Sequence, residues 1–464
     1  MRLVFKFGGT SLGDGERIKH ACSIVRRYFE QGNSIVTVCS AMGDTTDILI
    51  ELMSSAIRGE RERFESGIGR LRSGHLEAVE AAVQDAKLRG EALRGVEERL
   101  NDLTHILSSI YFLREVTPRS RDLVLSFGER LSTWIFTCAL QAQGISAKYL
   151  EGGEAGIITD SDFGYATPIM DETLNNIKSI ILPLLSRGIV PVVTGFIGRA
   201  RDGAITTLGR GGSDFTATLL GAGIQADEVV LWSDVDGLLT TDPRIVGDAK
   251  VIPQLSYDEA LEMAVFGAKG LHPRAIEAAQ NGQVKVRIKN TFNPSAPGTL
   301  ITGQGYSTGS VVKGVLLVRD VAMITVRGAS AVGKPGSAAH ILKSISERGV
   351  NVMMMSQSVS ESSISLIVRR DSADLALEAI KSSSPPSLIR GIDCERDVVV
   401  VAVVGEGMKG TPGVASKVFG AVARRGINVR MIAQGSSELN ISFVVKETDG
   451  VRAVQAIHEE YRLG

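Results

Sequence analysis

The chain has 464 residues, of which 44% are apolar and 22% are charged, and its formal net charge is −1. A chain of this size and balance forms roughly two to four globular domains and can bury large cores. The near-neutral charge, without a basic block, argues against nucleic acid as the main partner, and the longest wholly apolar run, Val398–Val404, is far too short to span a membrane.

The N-terminus and the cysteines predict a cytoplasmic protein. Residues 1–6 enter a strand pattern at once, which leaves no room for a signal peptide. The four cysteines show no CxxC spacing and stand mostly in apolar segments, as free thiols do in a reducing cytoplasm. The six histidines are scattered, so we expect no metal site built from protein side chains.

The first predicted strand, Arg2–Phe7, runs into Gly8-Gly9-Thr10-Ser11 and a helix from Glu16 to Phe29. A glycine turn between a strand and a helix is typical of an anion site, because free backbone N–H groups point at the ligand. Lys6 stands just before the glycines, where its ammonium could neutralise a phosphate. Alternatively, Lys6 is only the exposed residue of an edge strand.

Two further predicted strands also end in polar or small residues. Strand Ser34–Cys39 leads to Ser40–Asp47, and a predicted strand Leu123–Phe127 leads to Gly128-Glu129-Arg130 and a helix. Glu129 is therefore expected at a strand-to-helix turn. Its carboxylate binds an ammonium group there, or it is merely a first-turn residue favoured by the helix dipole.

After a predicted strand at Ile189–Phe196, the segment Thr206–Asp214 packs three glycines around Arg210 and ends in a Ser-Asp pair. An apolar run follows directly, so the glycine turn feeds a helix N-terminus, which attracts anions. Arg210 adds a planar, permanently charged fork that suits carboxylate or phosphate oxygens. The alternative is a tight surface turn capped by Ser213 or Asp214.

The fifth polar cluster follows strand Glu228–Trp232 and runs from Ser233 to Arg244. Five strand ends of this kind predict a crevice at the carboxyl edge of a doubly wound α/β sheet. A helix Tyr257–Phe266 then leads to a second lysine beside a glycine turn, Lys269. Residues 290–309 are rich in Asn, Pro, Gly, Ser and Thr, which predicts a linker.

Beyond the linker the chain repeats itself at an offset of 77 residues, and the matching pairs are Pro335-Gly336 with Pro412-Gly413, Asn351 with Asn428, and Gln357 with Gln434. Each copy has the pattern of a ferredoxin-like βαββαβ unit. The second copy lacks its sixth strand, because almost no chain follows its last helix. We therefore predict that strand Val311–Val318, which lies before the first copy, completes the second.

Together these motifs resemble the aspartokinase family, and the repeat is similar to its paired ACT regulatory domains. The motifs that carry the resemblance stand in the family's order: Lys6–Ser11, Ser40-Ala41 with Thr46, Ser126–Glu129, Thr206–Asp214, Ser233–Arg244 and Phe266–Pro273. The resemblance covers nearly the whole chain and, since no dehydrogenase segment follows, is to the monofunctional type. It implies a doubly wound, three-layer amino-acid-kinase domain over residues 1–300. Two ACT domains over 311–390 and 391–464 follow, with strand 311–318 lent to the second.

The resemblance also implies the reaction ATP + L-aspartate → ADP + 4-phospho-L-aspartate, the first step of lysine, threonine and methionine biosynthesis, with Mg²⁺ carried by the ATP phosphates. An aspartate carboxylate, with a pKa near ~3.9, is already an ionised nucleophile, so the reaction needs no general base. The sequence places no histidine directly beside the strand-end motifs, which agrees with this. By matching position the catalytic residues are Lys6 and Asp214, the substrate-binding residues Thr46, Glu129, Arg210 and Ser213, and the ATP-binding residues Lys6, Gly8, Gly9, Ser233, Asp234, Arg244 and Lys269.

One position departs from the family pattern. Many relatives carry a tyrosine in the nucleotide segment, where this chain has Leu239. We therefore expect no aromatic stacking on adenine from this position and weaker nucleotide binding.

ACT pairs bind an amino acid between their copies, which implies the effector residues Lys334, Ser337, Asn351, Val352, Gln357, Asn428, Val429 and Gln434. In lysine-sensitive relatives an acidic side chain near the Asn-Val strand meets the ε-ammonium, whereas this chain has Met353-Met354-Met355. A buried ammonium without a partner is costly, so threonine is favoured over lysine. Alternatively, these turns only pack a homodimer or higher oligomer through the ACT domains.

Two other functions stay open. The first is an enzyme of the same kinase fold that acts on glutamate, acetylglutamate, carbamate or a nucleotide, which fold alone does not exclude. The second is a non-catalytic amino-acid sensor in which only the repeat functions. The Arg210–Asp214 motif and the paired regulatory domains argue against the first, and the intact Lys6, Lys269 and Asp214 argue against the second.

Overall fold

The structure, a computed structural model, describes residues 1–268, 270–303, 310–328, 336–357, 363–383 and 389–464. The chain forms two compact units. The described part of the first comprises residues 1–238, 253–261 and 270–303; that of the second comprises 239–252, 262–268 and the described residues from 310 onward. Within these ranges no helix combines the length and apolar character that crossing a bilayer requires.

Up to residue 303 the chain combines parallel strands with helices, as an α/β fold does, with four consecutive helices between its second and third strands. The strands are β1 (Arg2–Phe7), β2 (Ser34–Cys39), β3 (Ala147–Leu150), β4 (Ile158–Thr159), β5 (Val190–Thr194), β6 (Ile197–Ala200), β7 (Ile205–Thr207), β8 (Glu228–Ser233), β9 (Gln254–Ser256), β10 (Val286–Asn290) and β11 (Thr299–Thr302). The helices are α1 (Gly15–Glu30), α2 (Thr45–Arg58), α3 (Arg61–Ala82), α4 (Ala86–Leu113), α5 (Pro118–Ala142), α6 (Met170–Ser186), α7 (Gly212–Ile224), α8 (Tyr257–Val265) and α9 (Pro273–Gly282).

Eight of these strands form one sheet in the order β3-β5-β2-β1-β8-β10-β11-β9, and β4, β6 and β7 form a small second sheet. The strands from β3 to β10 in this order are all parallel to their neighbours. The chain passes from β1 to β2 on one side and later returns to β8 on the other side. This change of direction opens a crevice beyond the carboxyl end of β1, where open α/β sheets bind ligands.

Strand β1 shows how the two sides of the sheet are divided. Leu3, Phe5 and Phe7 belong to an apolar core that also contains buried residues of α1 to α5. Because successive side chains of a strand point to opposite faces, Val4 and Lys6 face the other side. There Lys6 pairs with Asp214 of α7, so helices cover the sheet on both faces, as a three-layer fold requires.

The predicted strand Leu123–Phe127 is wrong, because this segment lies inside helix α5. A short apolar run does not distinguish a strand from a buried helix segment, so periodicity alone was insufficient here. The helix start is visible in the sequence as a capping box: Thr117 Oγ1 accepts from the backbone N–H of Ser120, and Pro118 occupies the first helical position.

From residue 310 onward the described chain forms a six-stranded sheet with the order β13-β14-β12-β15-β17-β16. Its neighbouring strands are all antiparallel. The strands are β12 (Gly314–Arg327), β13 (Met354–Gln357), β14 (Ser363–Arg369), β15 (Gly391–Val404), β16 (Met431–Ala433) and β17 (Asn440–Lys446), and the helices are α10 (Ser337–Ser346), α11 (Ala373–Ser383), α12 (Val414–Arg424) and α13 (Gly450–Tyr461).

Strand β12 serves both copies of the repeat. Its first part, Gly314–Val318, pairs with Val400–Val404 of β15, in the second copy. Its second part, from Val321 to Arg327, pairs with β14 of the first copy and with the beginning of β15. The register shifts between these parts, next to Asp320, which has a positive φ of 57°.

The segment predicted as a linker is partly regular structure. Strand β11 lies within residues 290–309 and pairs antiparallel with β10 and parallel with β9. The turn residues that suggested a linker, between Asn290 and Thr299, instead connect two neighbouring strands. Residues 304–309, at the end of the predicted linker, lie outside the described residues.

Candidate active site

A cavity of roughly 320 Å³ lies at the carboxyl ends of β1 and β2, in the first unit. Segments far apart in the sequence form its wall: the turn after β1, the turn after β2, helix α5, and the chain around Phe196 and the glycine turn. The lining residues are Lys6, Gly9, Ser40, Ala41, Gly43, Thr46, Glu129, Phe196, Gly209, Arg210, Gly211, Gly212, Ser213 and Asp214. Seven of the predicted site residues therefore share this cavity: Lys6, Gly9, Thr46, Glu129, Arg210, Ser213 and Asp214.

Lys6 and Asp214 form an ion pair at the wall of the cavity. Lys6 Nζ lies 2.6 Å from Asp214 Oδ1, and each side chain is 14% exposed. Lys6 is held by a central parallel strand, and Asp214 lies in the first turn of α7. Because both elements are regular and packed, the pair has a defined position from which the ammonium faces the cavity.

The glycine turn connects β7 to α7 and carries Arg210. Gly209 and Gly211 have left-handed φ values of 74° and 72°, and Gly211 is the N-cap of α7. Arg210 lies between them with an exposed side chain, whereas Ser213, in the first turn of the helix, is buried. The turn thus directs a guanidinium and free helix N–H groups toward the same space, which suits an anion.

Glu129 lies near the middle of α5 and not at a strand-to-helix turn as predicted. Its side chain is 4% exposed, and Oε1 accepts a hydrogen bond of 3.2 Å from the backbone N–H of Ala41. Oε2 is buried and has no hydrogen-bond partner among the described residues. Burial raises the pKa of Glu129 to about 8, although the Ala41 N–H and the Lys6 charge oppose this. The carboxyl group is therefore ready to receive a hydrogen-bond donor or a cation from a ligand.

The charges in the cavity favour anionic ligands. Below a pH of about 8 Glu129 is mostly protonated, so the described lining residues carry two cations, Lys6 and Arg210, against one anion, Asp214. A concave site with an excess of one charge raises the local concentration of the opposite charge. The cavity can therefore hold acidic groups, and a carboxyl oxygen of Glu129 can still accept a hydrogen bond from an ammonium.

The predicted ATP-binding residues are less completely assembled. Gly8 donates its backbone N–H to the carbonyl of Trp232, which brings the first glycine turn next to Ser233 at the end of β8. Ser233 Oγ donates to Asp234 Oδ1 at 3.2 Å. Arg244 belongs to the second unit, where its side chain is 89% exposed and paired with Asp242 at 2.7 Å. Lys269 lies outside the described residues.

The predicted effector residues lie in the second unit. Asn351 and Asn428 are exposed and precede strands β13 and β16 instead of lying in them, and Gln357 and Gln434 are exposed as well. The half-buried Val352 packs against the core of the first copy and Val429 against that of the second. Lys334 and the side chain of Ser337 lie outside the described residues.

Sequence reasoning missed several residues that shape the site. Phe196 lines the cavity with a positive φ of 67°, which is rare for a bulky side chain and typical of functional sites. The fully buried Asp122 accepts hydrogen bonds from the backbone N–H and hydroxyl of Thr207, just before the glycine turn. An acidic residue directly before the apolar run Leu123–Leu125 was the available signal for Asp122.

The expectation that no histidine lies beside these motifs is wrong. A β-carbon built on Gly211 would lie 2.1 Å from Cγ of His272, so the imidazole packs directly against the glycine turn. Residues 211 and 272 are distant in the sequence and meet only through the fold. Since an ionised carboxylate needs no general base, the contact does not change the chemistry inferred for the acceptor.

Comparison with known proteins identifies the family. The amino acid kinase family matches residues 1–290, and the ACT domain matches residues 324–383 and 401–461. Aspartokinase 1, chloroplastic, of Arabidopsis thaliana is 34% identical over 474 residues, which cover 99% of this chain and 80% of the relative. The chain belongs to the aspartokinase family. It is therefore a phosphotransferase with a carboxyl group as acceptor.

Other aspartokinases agree in sequence and in fold. The chain spans about half (51%) of bifunctional aspartokinase/homoserine dehydrogenase 1, chloroplastic, of Arabidopsis thaliana, with 34% identity. The crystal structure of E. coli aspartokinase III in complex with aspartate and ADP matches with a TM-score of 0.84 and 28% identity over 99% of both chains. The complex of aspartokinase III with lysine and aspartate matches with a TM-score of 0.78 and the same coverage.

Proposed function

We propose that this aspartokinase transfers the γ-phosphoryl group of MgATP to the side-chain carboxylate of L-aspartate, giving ADP and 4-phospho-L-aspartate. One observation carries the proposal: Arg210 and Glu129, whose Oε2 has no hydrogen-bond partner among the described residues, line the same cavity as the Lys6–Asp214 pair. A guanidinium for a carboxylate and a buried carboxyl for an ammonium fit an α-amino acid. The neighbouring lysine suits the phosphate that such an acid attacks.

In this proposal the residues act mainly by positioning and by cancelling charge. Arg210 and Ser213 bind the α-carboxylate of aspartate, Glu129 its ammonium, and Thr46 its remaining polar groups. The acceptor carboxylate is already ionised, so the main barrier is its repulsion from the anionic γ-phosphate. Lys6 neutralises that charge, and Asp214 holds the Lys6 ammonium in place.

MgATP is the second substrate, and the structural relative solved with ADP supports this. The backbone of Gly8 and Gly9 borders the phosphates, with Lys6 and Lys269 as their cations and Ser233, Asp234 and Arg244 along the nucleotide. The phosphate oxygens of ATP carry the Mg²⁺, which kinases commonly bind through the substrate phosphates. Leu239 removes aromatic stacking from this segment.

We further propose a kinase domain over residues 1–300 and ACT domains over 311–390 and 391–464, with strand 311–318 contributed to the second. The family-model ranges and the pairing of Gly314–Val318 with β15 support these boundaries. The ACT domains bind an end-product amino acid, for which we favour threonine, and join chains into a homodimer or higher oligomer. The reaction is then the regulated first step of lysine, threonine and methionine biosynthesis.

The proposed reaction is tested by coupling ADP release to NADH oxidation with L-aspartate, L-glutamate, N-acetyl-L-glutamate and carbamate as acceptors. We expect turnover with L-aspartate and at most about 1% of that efficiency with the others, because a site that pairs the ammonium and carboxylate rejects acids that misplace either. A preference for another acid would assign a different enzyme of the same fold. The absence of turnover with every acceptor, together with amino-acid binding, would indicate a sensor.

A further inference from the structure

The turn that carries Arg210 is held by residues outside its own segment. Gly209 and Gly211 flank Arg210, both in the left-handed region, and glycine has more backbone freedom than any other residue. The Arg210 side chain is exposed. A flexible peptide with an exposed side chain keeps one orientation only if neighbouring elements restrain it.

Arg274, in the first turn of α9, provides such a restraint. Its Nη1 donates a 2.6 Å hydrogen bond to the carbonyl of Leu208, immediately before Gly209, and its Nη2 donates a 3.2 Å hydrogen bond to the carbonyl of Ala166. The guanidinium also lies 4.7 Å from the ring centre of Tyr165 and 4.5 Å from that of Phe215. One planar fork therefore ties the glycine turn to a separate loop and to α7.

Two rings cover the glycines on either side of Arg210. A β-carbon at Gly209 would lie 2.5 Å from Cδ2 of Tyr165, and one at Gly211 would lie 2.1 Å from Cγ of His272. Burial lowers the pKa of His272, so its ring is neutral near pH 7 and adds no repulsion to Arg210. Tyr165 packs between Gly209 and Arg274, which links the ring contact to the hydrogen bonds.

We propose that Arg274 is a positioning residue for substrate binding: it holds the glycine turn, together with Tyr165 and His272, in the conformation that directs Arg210 at the α-carboxylate of aspartate. This inference rests on the proposed function. Arg274 is absent from the residues that line the cavity, so it acts through the turn and not by touching the substrate. The Lys6–Asp214 pair depends on β1 and α7 and is expected to persist without it.

This role differs measurably from a purely structural one. If Arg274 only stabilised the fold, its removal would lower the melting temperature and the active fraction, and kcat would fall without a selective effect on aspartate. If it positions Arg210, the KM for aspartate rises while kcat and the KM for ATP stay nearly constant. Hydrogen exchange of residues 206–214 reports on the turn itself, with or without catalysis.

The test compares Arg274→Ala and Arg274→Lys with the control Arg201→Ala, which removes an exposed arginine paired with Glu172 at 2.8 Å. For Arg274→Ala we expect the KM for aspartate to rise roughly 10- to 100-fold, since small displacements of a binding group are costly. Deuterium uptake of the 206–214 peptide rises as well. For Arg274→Lys we expect values of the KM and of the deuterium uptake between those of wild type and Arg274→Ala, because one ammonium does not reproduce the planar fork. Added guanidinium ion should partly restore the affinity of Arg274→Ala for aspartate and should leave the KM of the control variant unchanged.

Wild-type exchange in residues 206–214 and a wild-type KM for aspartate in a folded Arg274 variant would overturn the proposal, as would equal changes in kcat and both KM values. If Arg274→Ala does not fold, Arg274→Lys decides by the same criteria. If the wild-type protein does not phosphorylate aspartate, the proposed function fails. The exchange experiment then still decides whether Arg274 holds the turn.

Discussion

At the scale of single residues, the ionisable groups of the site differ in their burial and in their partners. Lys6 and Asp214 share a short ion pair with little solvent exposure. Glu129 is buried, and one of its oxygens has no hydrogen-bond partner in the part of the chain that the structure describes, whereas Arg210 is exposed. These environments support the different tasks proposed for them: Lys6, held by Asp214, neutralises phosphate charge, Glu129 accepts from an ammonium, and Arg210 binds a carboxylate from the turn.

Lys6→Ala should reduce kcat by about 100- to 1,000-fold or more, the usual effect of losing one group that stabilises transferring charge. Substrate binding should change less, because Arg210 and Glu129 remain. Steady-state kinetics with both substrates measures this. Lys19→Ala, which removes an exposed lysine of α1 near Glu16, is the matched control and should behave as wild type. Turnover at the wild-type rate in Lys6→Ala would refute the assigned role.

Arg210→Ala should mainly raise the KM for aspartate, by about 10- to 100-fold, because a charge-assisted contact with the carboxylate is lost. The kcat should fall by a smaller factor, since the Lys6–Asp214 pair is intact. Arg119→Ala, which removes an exposed arginine 3.4 Å from Asp202, serves as the control. A large loss of kcat with an unchanged KM would instead place Arg210 at the transferring phosphate.

Glu129 should make stability depend on pH. Burial raises its pKa from 4.5 to about 8, so the folded protein holds this proton more tightly than the unfolded chain. Stability from this group is therefore fully present below about pH 4.5 and is lost as the pH rises to about 8. Glu129→Gln removes the titration and should be more stable than wild type at pH 8, by on the order of 4 kcal/mol.

Thermal or denaturant unfolding of wild type and Glu129→Gln between pH 5 and 8.5 measures this difference. Glu51→Gln, at an exposed glutamate near Arg70, is the control and should run parallel to wild type. If the stability of wild type and of Glu129→Gln changed with pH in the same way, Glu129 would ionise normally in the folded protein.

At the scale of elements, the glycine turn and α7 form one functional unit. The left-handed Gly211 caps the helix, and the helix then presents Ser213 and Asp214 in its first turn. The turn is the point where the chain must leave the small β4-β6-β7 sheet and enter a helix within a few residues. Its backbone conformation is therefore as important as its side chains.

Gly211→Ala should impair both folding and activity. Alanine at this position would have to adopt the left-handed conformation that the turn requires, at a cost of about 1–2 kcal/mol. Its β-carbon would also collide with the His272 ring. We expect a lower melting temperature and a loss of aspartate binding. Gly69→Ala, in helix α3 with open space around the added carbon, should be neutral or stabilising by about 0.5–1 kcal/mol. Equal behaviour of the two variants would contradict this.

At the scale of the whole molecule, each of the two units has its own core. The first packs helices on both faces of an eight-stranded sheet, and the second joins two repeats through the shared strand β12. In the second unit Met353 and Met354 pack with Met431 and Ala433 in one apolar cluster. A ligand that binds beside this cluster would meet methionine side chains.

The effector should accordingly be threonine and not lysine, because an ammonium next to methionines lacks a partner. Isothermal titration of the full chain with L-threonine, L-lysine and L-methionine compares the affinities. Met355→Glu, at a 42% exposed position, introduces a carboxylate and should improve lysine binding relative to wild type. Tighter binding of lysine than of threonine by the wild-type protein would contradict the assignment.

The local sequence pattern was sufficient to predict those elements that neighbouring residues define. Strand β1 with its glycine turn, the glycine turn before α7 and the 77-residue repeat were all visible, because spacing and turn residues mark them directly. Helix α5 was not correctly predicted, since the short apolar run around Val124 suits a buried strand or a helix equally. Family resemblance supplied the roles of residues that pattern alone left open.

The sequence by itself determined which groups are available: a lysine and an arginine beside glycines, and carboxylates in apolar surroundings. Only the tertiary structure decided which of them meet. It placed Lys6 against Asp214, turned Glu129 into a buried acceptor in mid-helix, and brought His272 and Arg274 onto the glycine turn. These contacts join residues tens to hundreds of positions apart, so they depend on strand order and helix packing, which local sequence does not encode.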